Sequence, residues 1–310
     1  MPFWFIINYN SIKYTINRSF MEFLEILKVI LLGIIEGITE WLPISSTGHM
    51  ILFDEVWPME ATKAFKDMFL VVIQLGAILA VLVMFFKKLF PFKTETVQHE
   101  GEMLPKKKLV ADMGILNLWG KVLVACIPAA VIGLLFDDFL EEHLYTPLVI
   151  SLMLIIYGVA FIVIENVNKK RELPIKTTAE ITYKHALLIG AFQLLSLIPG
   201  TSRSGATILG ALLIGVSRPA GAEFTFFLAI PVMLGASALK ILKYILDFGW
   251  FSGAELGYIL IGMAVAFAVS MLAIKFLMNF VKKHDFKLFG WYRIGLGALV
   301  IATMVVPSLI

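Results

Sequence analysis

The segment EGITEWLPISSTGH occupies residues 36–49, and a second polar segment, PGTSRSGAT, occupies residues 199–207. Each interrupts an apolar stretch of the chain and contains a proline, Pro43 or Pro199, that breaks the stretch. Carboxylates, a histidine and an arginine are costly at membrane depth, so ionisable side chains in such stretches are candidates for a functional site. The two segments therefore predict two broken, polar hairpins inside a membrane protein.

The composition of the whole chain supports this class. Of the 310 residues 59% are hydrophobic, and the formal net charge is only +3, whereas soluble domains are about 45–50% apolar. One membrane span takes about 20 residues, so the chain has little length left for a soluble domain. We expect an all-α polytopic membrane protein with no nucleic-acid partner. The single cysteine, Cys126, cannot form an intrachain disulfide.

Apolar runs and their breaks predict the number of spans. Six runs have full length, at residues 68–86, 113–136, 147–164, 224–246, 256–280 and 291–306. Two further pairs of runs are too short to span singly and contain the polar segments, at residues 21–41 with 44–57 and 182–198 with 204–216. Residues 1–20 lack the basic start of a signal peptide. They are interpreted as an N-terminal extension or a mis-called start, with Met21 as the biological start, and the alternative is a short interfacial segment.

The two broken pairs align as an internal repeat. The aligned pairs are Gly33 with Gly190, Glu36 with Gln193, Pro43 with Pro199, and Gly48 with Gly205. Repeat one then covers about residues 21–166 and repeat two about residues 180–310 of a single membrane domain at 21–310. Each repeat has one re-entrant hairpin and three spans, and an odd number of crossings makes the repeats inverted. Broken helices at matching positions predict a site near the midplane.

Loop charges predict the orientation. The loop after the first full span contains six lysines, Lys87, Lys88, Lys93, Lys106, Lys107 and Lys108, whereas the next loop, DDFLEEHLYT at residues 137–146, contains no Lys or Arg. The alternation continues to the C-terminus. Since Lys and Arg concentrate in cytoplasmic loops, both termini should lie outside, with the first hairpin entering from outside. Lys240 and Lys243 fit this rule poorly, and we expect them to snorkel.

The first hairpin contains a carboxylate pair. Glu36 and Glu40 are spaced i, i+4, so on a helix both lie on one face, where like charges are destabilising. A divalent cation, an arginine or one shared proton could offset this repulsion. The alternative is that these are solvated glutamates near the end of a span.

A serine and a histidine follow the carboxylates. Serine becomes a nucleophile beside a base, usually histidine. His49 lies three residues after Ser46, so the two side chains share a face if the second arm is helical from Ser45 onward. The alternative is a histidine with only a packing role.

The second hairpin contains the parts of an anion site. Arg203 begins what should be a half-helix, and its neighbours are small or hydroxylic: Gly200, Ser202, Ser204, Gly205 and Thr207. Helix N-termini bind anions, glycines let the backbone approach them, and the arginine fork binds phosphate in a bidentate manner. The segment therefore predicts a phosphate cradle, with pairing of Arg203 to Glu36 or Glu40 as the structural alternative. Together, the hairpins contain the groups needed for phosphoryl transfer.

Both segments, with VVIQLGAILAV at residues 71–81 and GVSRPAGAEFTFFLAIPVM at residues 215–233, resemble the bacitracin-resistance type of undecaprenyl-diphosphate phosphatase. The likeness extends over nearly everything from Met21 onward. It implies an enzyme of the bacterial plasma (inner) membrane that removes the terminal phosphate of undecaprenyl diphosphate at the outer face. This reaction recycles the lipid carrier for peptidoglycan synthesis and confers bacitracin resistance. The resemblance also implies a divalent cation, Mg²⁺ or Ca²⁺.

The resemblance assigns roles to particular residues. The implied catalytic residues are Glu36, Glu40, Ser46 and His49, with Glu36 and Glu40 also as metal ligands, and the implied phosphate-binding residues are Arg203, Ser202, Ser204 and Thr207, to which Gly200 and Gly205 are added by position. Ser46 is favoured as nucleophile over direct attack by water. Inverted repeats are also typical of transporters, so a polyprenyl-phosphate flippase is the alternative function. A homodimer is compatible with the sequence.

Overall fold

A computed structural model of the protein describes residues 3–97 and 106–307, and most of these residues are helical. In the first half the helices are α1 (Phe3–Thr39), α2 (Ser46–Val56), α3 (Lys63–Val72), α4 (Gln74–Met84), α5 (Phe86–Leu89), α6 (Met113–Leu144) and α7 (Pro147–Asn168). In the second half they are α8 (Tyr183–Gln193), α9 (Arg203–Leu213), α10 (Arg218–Phe248), α11 (Gly253–Phe280) and α12 (Lys287–Val300). The prediction of an all-α polytopic protein is confirmed.

Six helical segments in the described part of the chain are long and apolar enough to cross a membrane. They are Lys63–Met84, Met113–Phe136, Pro147–Asn168, Arg218–Phe248, Gly253–Phe280 and Lys287–Val305. Each overlaps one of the six predicted runs, so the predicted number of full spans is confirmed. The first span is not one continuous helix, because α3 ends at Val72 and α4 begins at Gln74.

A two-stranded sheet follows the first full span and was not predicted. Strand β1 (Phe92–Val97) pairs antiparallel with β2 (Lys106–Ala111), with Phe92 opposite Ala111 and Val97 opposite Lys106. Half of the residues in FKTETV are β-branched, which favours a strand. The lysine-rich loop is therefore partly an ordered hairpin, and its tip lies outside the described residues.

Both predicted hairpins are present as pairs of helices around a sharp turn. The second arms, α2 and α9, each contain 11 residues and each begin directly after a serine with a positive φ, Ser45 at 74° and Ser202 at 72°. Among the described residues no other non-glycine residue has a positive φ. The two serines are aligned positions of the repeat, so the local backbone agrees with the alignment. The inverted relation of the repeats, the domain bounds and the interpretation of residues 1–20 stay predictions.

The spans that surround the hairpins pack closely. A Cβ on Gly158 of α7 would lie 2.7 Å from the carbonyl oxygen of Gly290 of α12, and a Cβ on Gly290 would lie 2.7 Å from that of Gly158. Real Cβ atoms do not approach a carbonyl oxygen this closely, so both positions require glycine and the two backbones are in contact. This contact fixes the position of α12, which contributes to the site described next.

Candidate active site

The tips of the two hairpins meet through an ion pair between Arg203 and Glu40. Arg203 Nε and Nη2 donate to Glu40 Oε1 at 3.3 and 2.9 Å, and Nη1 donates to the carbonyl oxygen of Thr225 at 3.0 Å. The two side chains are only 11% and 8% exposed. The structural alternative raised for Arg203, pairing with a glutamate of the first hairpin, is thus observed. It also brings the predicted phosphate-binding cation and the predicted carboxylates into one buried place.

Hydroxyl groups of the second hairpin hold this junction together. Ser204 Oγ donates to the carbonyl oxygen of Glu40 at 2.9 Å and lies 3.2 Å from Ser202 Oγ. Thr207 Oγ1 donates to the carbonyl oxygen of Arg203 at 2.9 Å and accepts from Thr225 Oγ1 at 2.9 Å. In this arrangement the hydroxyls of Ser204 and Thr207 bind protein atoms, and they fix the turn from which Arg203 projects.

The two glycines of the predicted cradle have different structural roles, since Gly200 is required by its backbone geometry and Gly205 supplies an N–H to a helix cap. Gly200 has a φ of +88°, and a Cβ there would lie 2.5 Å from the carbonyl oxygen of Ile150. The N–H of Gly205 donates to Ser202 Oγ at 3.1 Å, which caps the start of α9. The Gly205 N–H is therefore engaged by the cap in this arrangement, so a phosphate would have to displace Ser202 to reach it.

Glu36 differs from Glu40 in having a fully buried oxygen without a partner. Its side chain is 1% exposed, and its Oε1 accepts no hydrogen bond from the described residues. Arg203 offsets the charge of Glu40 but does not bond to Glu36, so the repulsion between the two carboxylates is only partly compensated. A buried carboxylate oxygen without a partner fits a site for a hard divalent cation. No cluster of three or more His, Cys, Asp or Glu residues occurs within residues 3–97 and 106–307, so Glu36 and Glu40 would have to share the cation with substrate or water oxygens.

The hydrogen-bond partners of His49 are Ser45 and Tyr292. The helix α2 begins at Ser46, as expected, but His49 Nδ1 lies 2.7 Å from the carbonyl oxygen of Ser45 and Nε2 lies 2.7 Å from Tyr292 Oη. No hydrogen bond joins Ser46 Oγ to the imidazole in the described structure. Because α2 is helical from Ser46, Ser46 and His49 lie on one face of it, as the spacing predicts. Two other groups engage both ring nitrogens in this arrangement, and the assignment of Ser46 and His49 as nucleophile and base stays a prediction.

Arg293 of α12 donates hydrogen bonds to both hairpin tips, and the sequence did not indicate it as a site residue. Its side chain is fully buried, and it donates to the carbonyl oxygens of Pro43 at 3.2 Å, Gly200 at 2.8 Å and Thr201 at 2.9 Å. Its guanidinium also lies over the ring of Tyr157, 5.5 Å from the ring centroid. An arginine within the apolar run 291–306 is a signal that the rule on ionisable residues at membrane depth could have detected.

Buried polar atoms without partners concentrate in the hairpins. In the described part of the chain six such side-chain atoms occur, and five belong to the hairpins: Glu36 Oε1, Trp41 Nε1, Gln193 Oε1, Gln193 Nε2 and Thr201 Oγ1. Buried polar groups in native proteins are normally paired with protein, water or ligand. The junction of the hairpins therefore offers unused hydrogen-bonding capacity to a polar ligand or to ordered water.

Comparisons with known proteins identify the family to which the chain is similar. A family model described as "Bacitracin resistance protein BacA" matches residues 29–299. A curated undecaprenyl-diphosphatase of Enterococcus faecalis is 63% identical over 281 residues, which cover 91% of this chain and 98% of that protein. A protein of the same name from Desulfitobacterium hafniense is 55% identical over 282 residues, 91% of this chain and 96% of its own length. One from Streptococcus thermophilus is 50% identical over 278 residues, 90% of this chain and 93% of its own length. The matched range includes every residue of the site described above.

Proposed function

Since the chain belongs to the family of bacitracin resistance protein BacA, we propose that it hydrolyses undecaprenyl diphosphate at the junction of its two hairpins. The protein is a multi-pass enzyme of the bacterial membrane, an undecaprenyl-diphosphatase whose product, undecaprenyl phosphate, serves cell-wall synthesis and whose activity confers bacitracin resistance. The observation that carries the choice of site is the contact between Arg203 and Glu40. This contact joins Arg203, the cation that we assign to phosphate, to Glu40 of the other hairpin.

Arg203 is the group that we assign to the terminal phosphate. Its guanidinium has donors directed at Glu40 and at Thr225, and a phosphate entering the junction competes with Glu40 for the Nε and Nη2 donors. Arginine suits this exchange because its planar fork contacts two oxygens of either a carboxylate or a phosphate. The ion pair with Glu40 thus keeps the fork oriented before substrate binds.

Ser46 is the group that we assign to the attack on phosphorus. It is the first residue of α2, where backbone N–H groups favour an anion, and it is partly exposed. In this route Ser46 Oγ forms a bond to the terminal phosphorus, the bond from that phosphorus to the bridging oxygen breaks, and undecaprenyl phosphate leaves. Water then releases inorganic phosphate from the serine. Direct attack by water reaches the same products without the phosphoserine.

Glu36 and Glu40 are the residues that would hold a divalent cation, Mg²⁺ or Ca²⁺. The unpartnered Oε1 of Glu36 supports this assignment. A bound cation would neutralise charge on the phosphate oxygens during transfer. The carboxylate of Glu40 also orients Arg203, so it would serve both the cation and the arginine.

The active site is proposed to open to the outer face, because the lysine-rich loops mark the cytoplasmic side. Single cysteines in place of Trp250 and Glu172, in a Cys126→Ala background, test this orientation in intact cells with a membrane-impermeant thiol reagent. We expect labelling at position 250 only. Labelling at position 172 only would reverse the topology.

A homodimer is part of the same proposal, and crosslinking in native membranes tests it.

Steady release of phosphate by the purified protein in detergent tests the function itself. A hydrolase releases phosphate from a polyprenyl diphosphate without any sealed compartment, whereas a flippase needs two compartments and consumes no substrate. We expect continuous turnover. Protein that binds the lipid and transports it between leaflets of vesicles, but releases no phosphate, would support the flippase instead.

A further inference from the structure

Tyr292 of α12 holds the imidazole of His49, and we propose that Tyr292 is a positioning residue for the hydrolysis. It fixes both the ring orientation and the tautomer of His49. This inference rests on the proposed function, because His49 matters only if the site performs phosphoryl transfer. Tyr292 belongs to none of the residue sets that the sequence indicated, and it lies 243 residues from His49 in the chain.

The hydrogen bonds of His49 determine which ring nitrogen carries the proton. Nδ1 lies 2.7 Å from the carbonyl oxygen of Ser45, and a carbonyl oxygen can only accept, so Nδ1 carries the hydrogen. The neutral imidazole then has its lone pair on Nε2. Tyr292 Oη, 2.7 Å from Nε2, must therefore donate its hydrogen to that lone pair. The basic atom of His49 is the one that Tyr292 contacts.

The rings of the two residues are also arranged together. Their planes differ by 9° and their centroids lie 5.6 Å apart. A single hydrogen bond to Nδ1 would still allow the imidazole to swing about that bond, whereas contacts at both nitrogens leave one orientation. Positioning of this kind, in which a partner on one nitrogen fixes the role of the other, is common for functional histidines.

The position of Tyr292 is itself fixed by the structure of the junction. The next residue, Arg293, is bonded to the tips of both hairpins, and Gly290 is in contact with the backbone of α7. Tyr292 therefore cannot shift along or around α12 without breaking these contacts. The same short segment of α12 orients the hairpin tips and the histidine.

This arrangement defines how His49 can act in the reaction. Because Nδ1 is engaged by the backbone, any proton that His49 accepts must arrive at Nε2. It arrives either through the hydroxyl of Tyr292, which passes its own hydrogen to Nε2 while it accepts one from the attacking hydroxyl or water, or after Tyr292 moves aside. In both cases the hydroxyl of Tyr292 controls the basicity that His49 offers.

A double-mutant cycle on His49 and Tyr292 tests the proposal. The variants are Tyr292→Phe, which keeps the ring and removes the hydroxyl, His49→Ala, and the double variant, all assayed for phosphate release by the whole protein. We expect Tyr292→Phe to lower kcat about tenfold with KM changed less than about twofold, since general acid–base groups contribute to kcat. The double variant should be no slower than His49→Ala, because Tyr292 acts only through His49.

Tyr244→Phe is the matched control. It also removes one tyrosine hydroxyl with a short hydrogen bond, 2.8 Å to Glu255 Oε1, but on α10 and outside the site. We expect this control to keep wild-type kcat, and all variants must give a monodisperse peak and a normal thermal midpoint. A Tyr292→Phe variant that keeps kcat within about twofold overturns the proposal.

Two other outcomes separate this inference from the proposed function. Losses that multiply in the double variant, in an active enzyme, would show that Tyr292 acts independently of His49 and would overturn the positioning role alone. Wild-type protein that releases no phosphate would overturn the diphosphatase reaction, and the role of Tyr292 with it.

Discussion

The two hairpins have similar backbone geometry but differ in how deeply their second arms, α2 and α9, are buried. Both second arms have 11 residues, and both begin after a serine that has a positive φ and caps a glycine N–H, Gly48 or Gly205. Burial differs sharply, because α9 is buried continuously from Ser204 to Leu212 whereas α2 buries only Gly48 and Met50. In the second hairpin the second arm, α9, is therefore enclosed by protein. In the first hairpin the second arm, α2, is accessible.

The side chains of the two hairpins have diverged on this shared backbone. The aligned pair Glu36 and Gln193 has a carboxylate in one hairpin and an amide in the other. The residue that follows the capping serine is Ser46 in the first hairpin and Arg203 in the second. The difference teaches that the same turn geometry presents one residue directly after each capping serine, and that in the proposed function these two residues have different roles, Ser46 in attack on phosphorus and Arg203 in phosphate binding.

Replacing Arg203 should have the largest effect on kcat, because it removes the residue that we assign to phosphate binding. We expect Arg203→Ala to lower kcat by about 10³-fold and Arg203→Lys by at least about tenfold, because lysine has no fork for bidentate contact. Phosphate release by monodisperse protein measures both. Arg171→Lys, which changes an exposed arginine bonded to the Leu213 carbonyl, is the control and should remain fully active. Near-normal turnover of Arg203→Lys would remove the phosphate clamp and leave Arg203 as a counter-ion to Glu40.

Glu36→Gln should have the next largest effect, because it makes the two hairpins alike at an aligned position. We expect this variant and Glu40→Gln each to lose about 100-fold in kcat and to respond less to added Mg²⁺. Titrations with Mg²⁺ and with a chelator measure the response, with the exposed Glu172→Gln as control. If both variants keep the wild-type metal response, the cation is misassigned and a shared proton between the carboxylates is the better explanation.

Ser45→Gly and Ser202→Gly should have small and equal effects on thermal stability. These variants test whether the two turns are equivalent. A positive φ costs a non-glycine residue about 1–3 kcal/mol, and glycine at an N-cap loses only a few tenths of a kcal/mol relative to serine. We therefore expect both variants to unfold at the same temperature as the wild type or a few degrees higher. Thermal melts in detergent measure this, with the alanine variants as destabilised controls. A shift at only one serine would show that the two turns are not equivalent.

Features that depend on local sequence were predicted correctly, whereas most contacts between residues far apart in the chain were not. Apolar length predicted the six spans, and Pro43 and Pro199 predicted the two turns, because both signals are local. The cost of burying charged side chains also indicated that Arg203 could pair with a glutamate of the first hairpin. Helical spacing placed Ser46 and His49 on one face, but it could not indicate that the hydrogen-bond partners of the imidazole are Ser45 and Tyr292. Tyr292 could not be found this way, because its partner is 243 residues distant.

The contacts of Arg293 also determine when the site can form during synthesis. Arg293 follows Pro43 by 250 residues and Gly200 by 93 residues, and chains emerge from the ribosome N-terminus first. Both hairpin tips are therefore synthesised before Arg293, which bonds to both of them. Until α12 inserts, the carbonyl groups of Pro43, Gly200 and Thr201 lack their donor. A chain that ends before α12 would keep the contacts of Arg203 and Ser204 with Glu40, but it would lack the hydrogen bonds by which Arg293 holds the backbone of both hairpin tips.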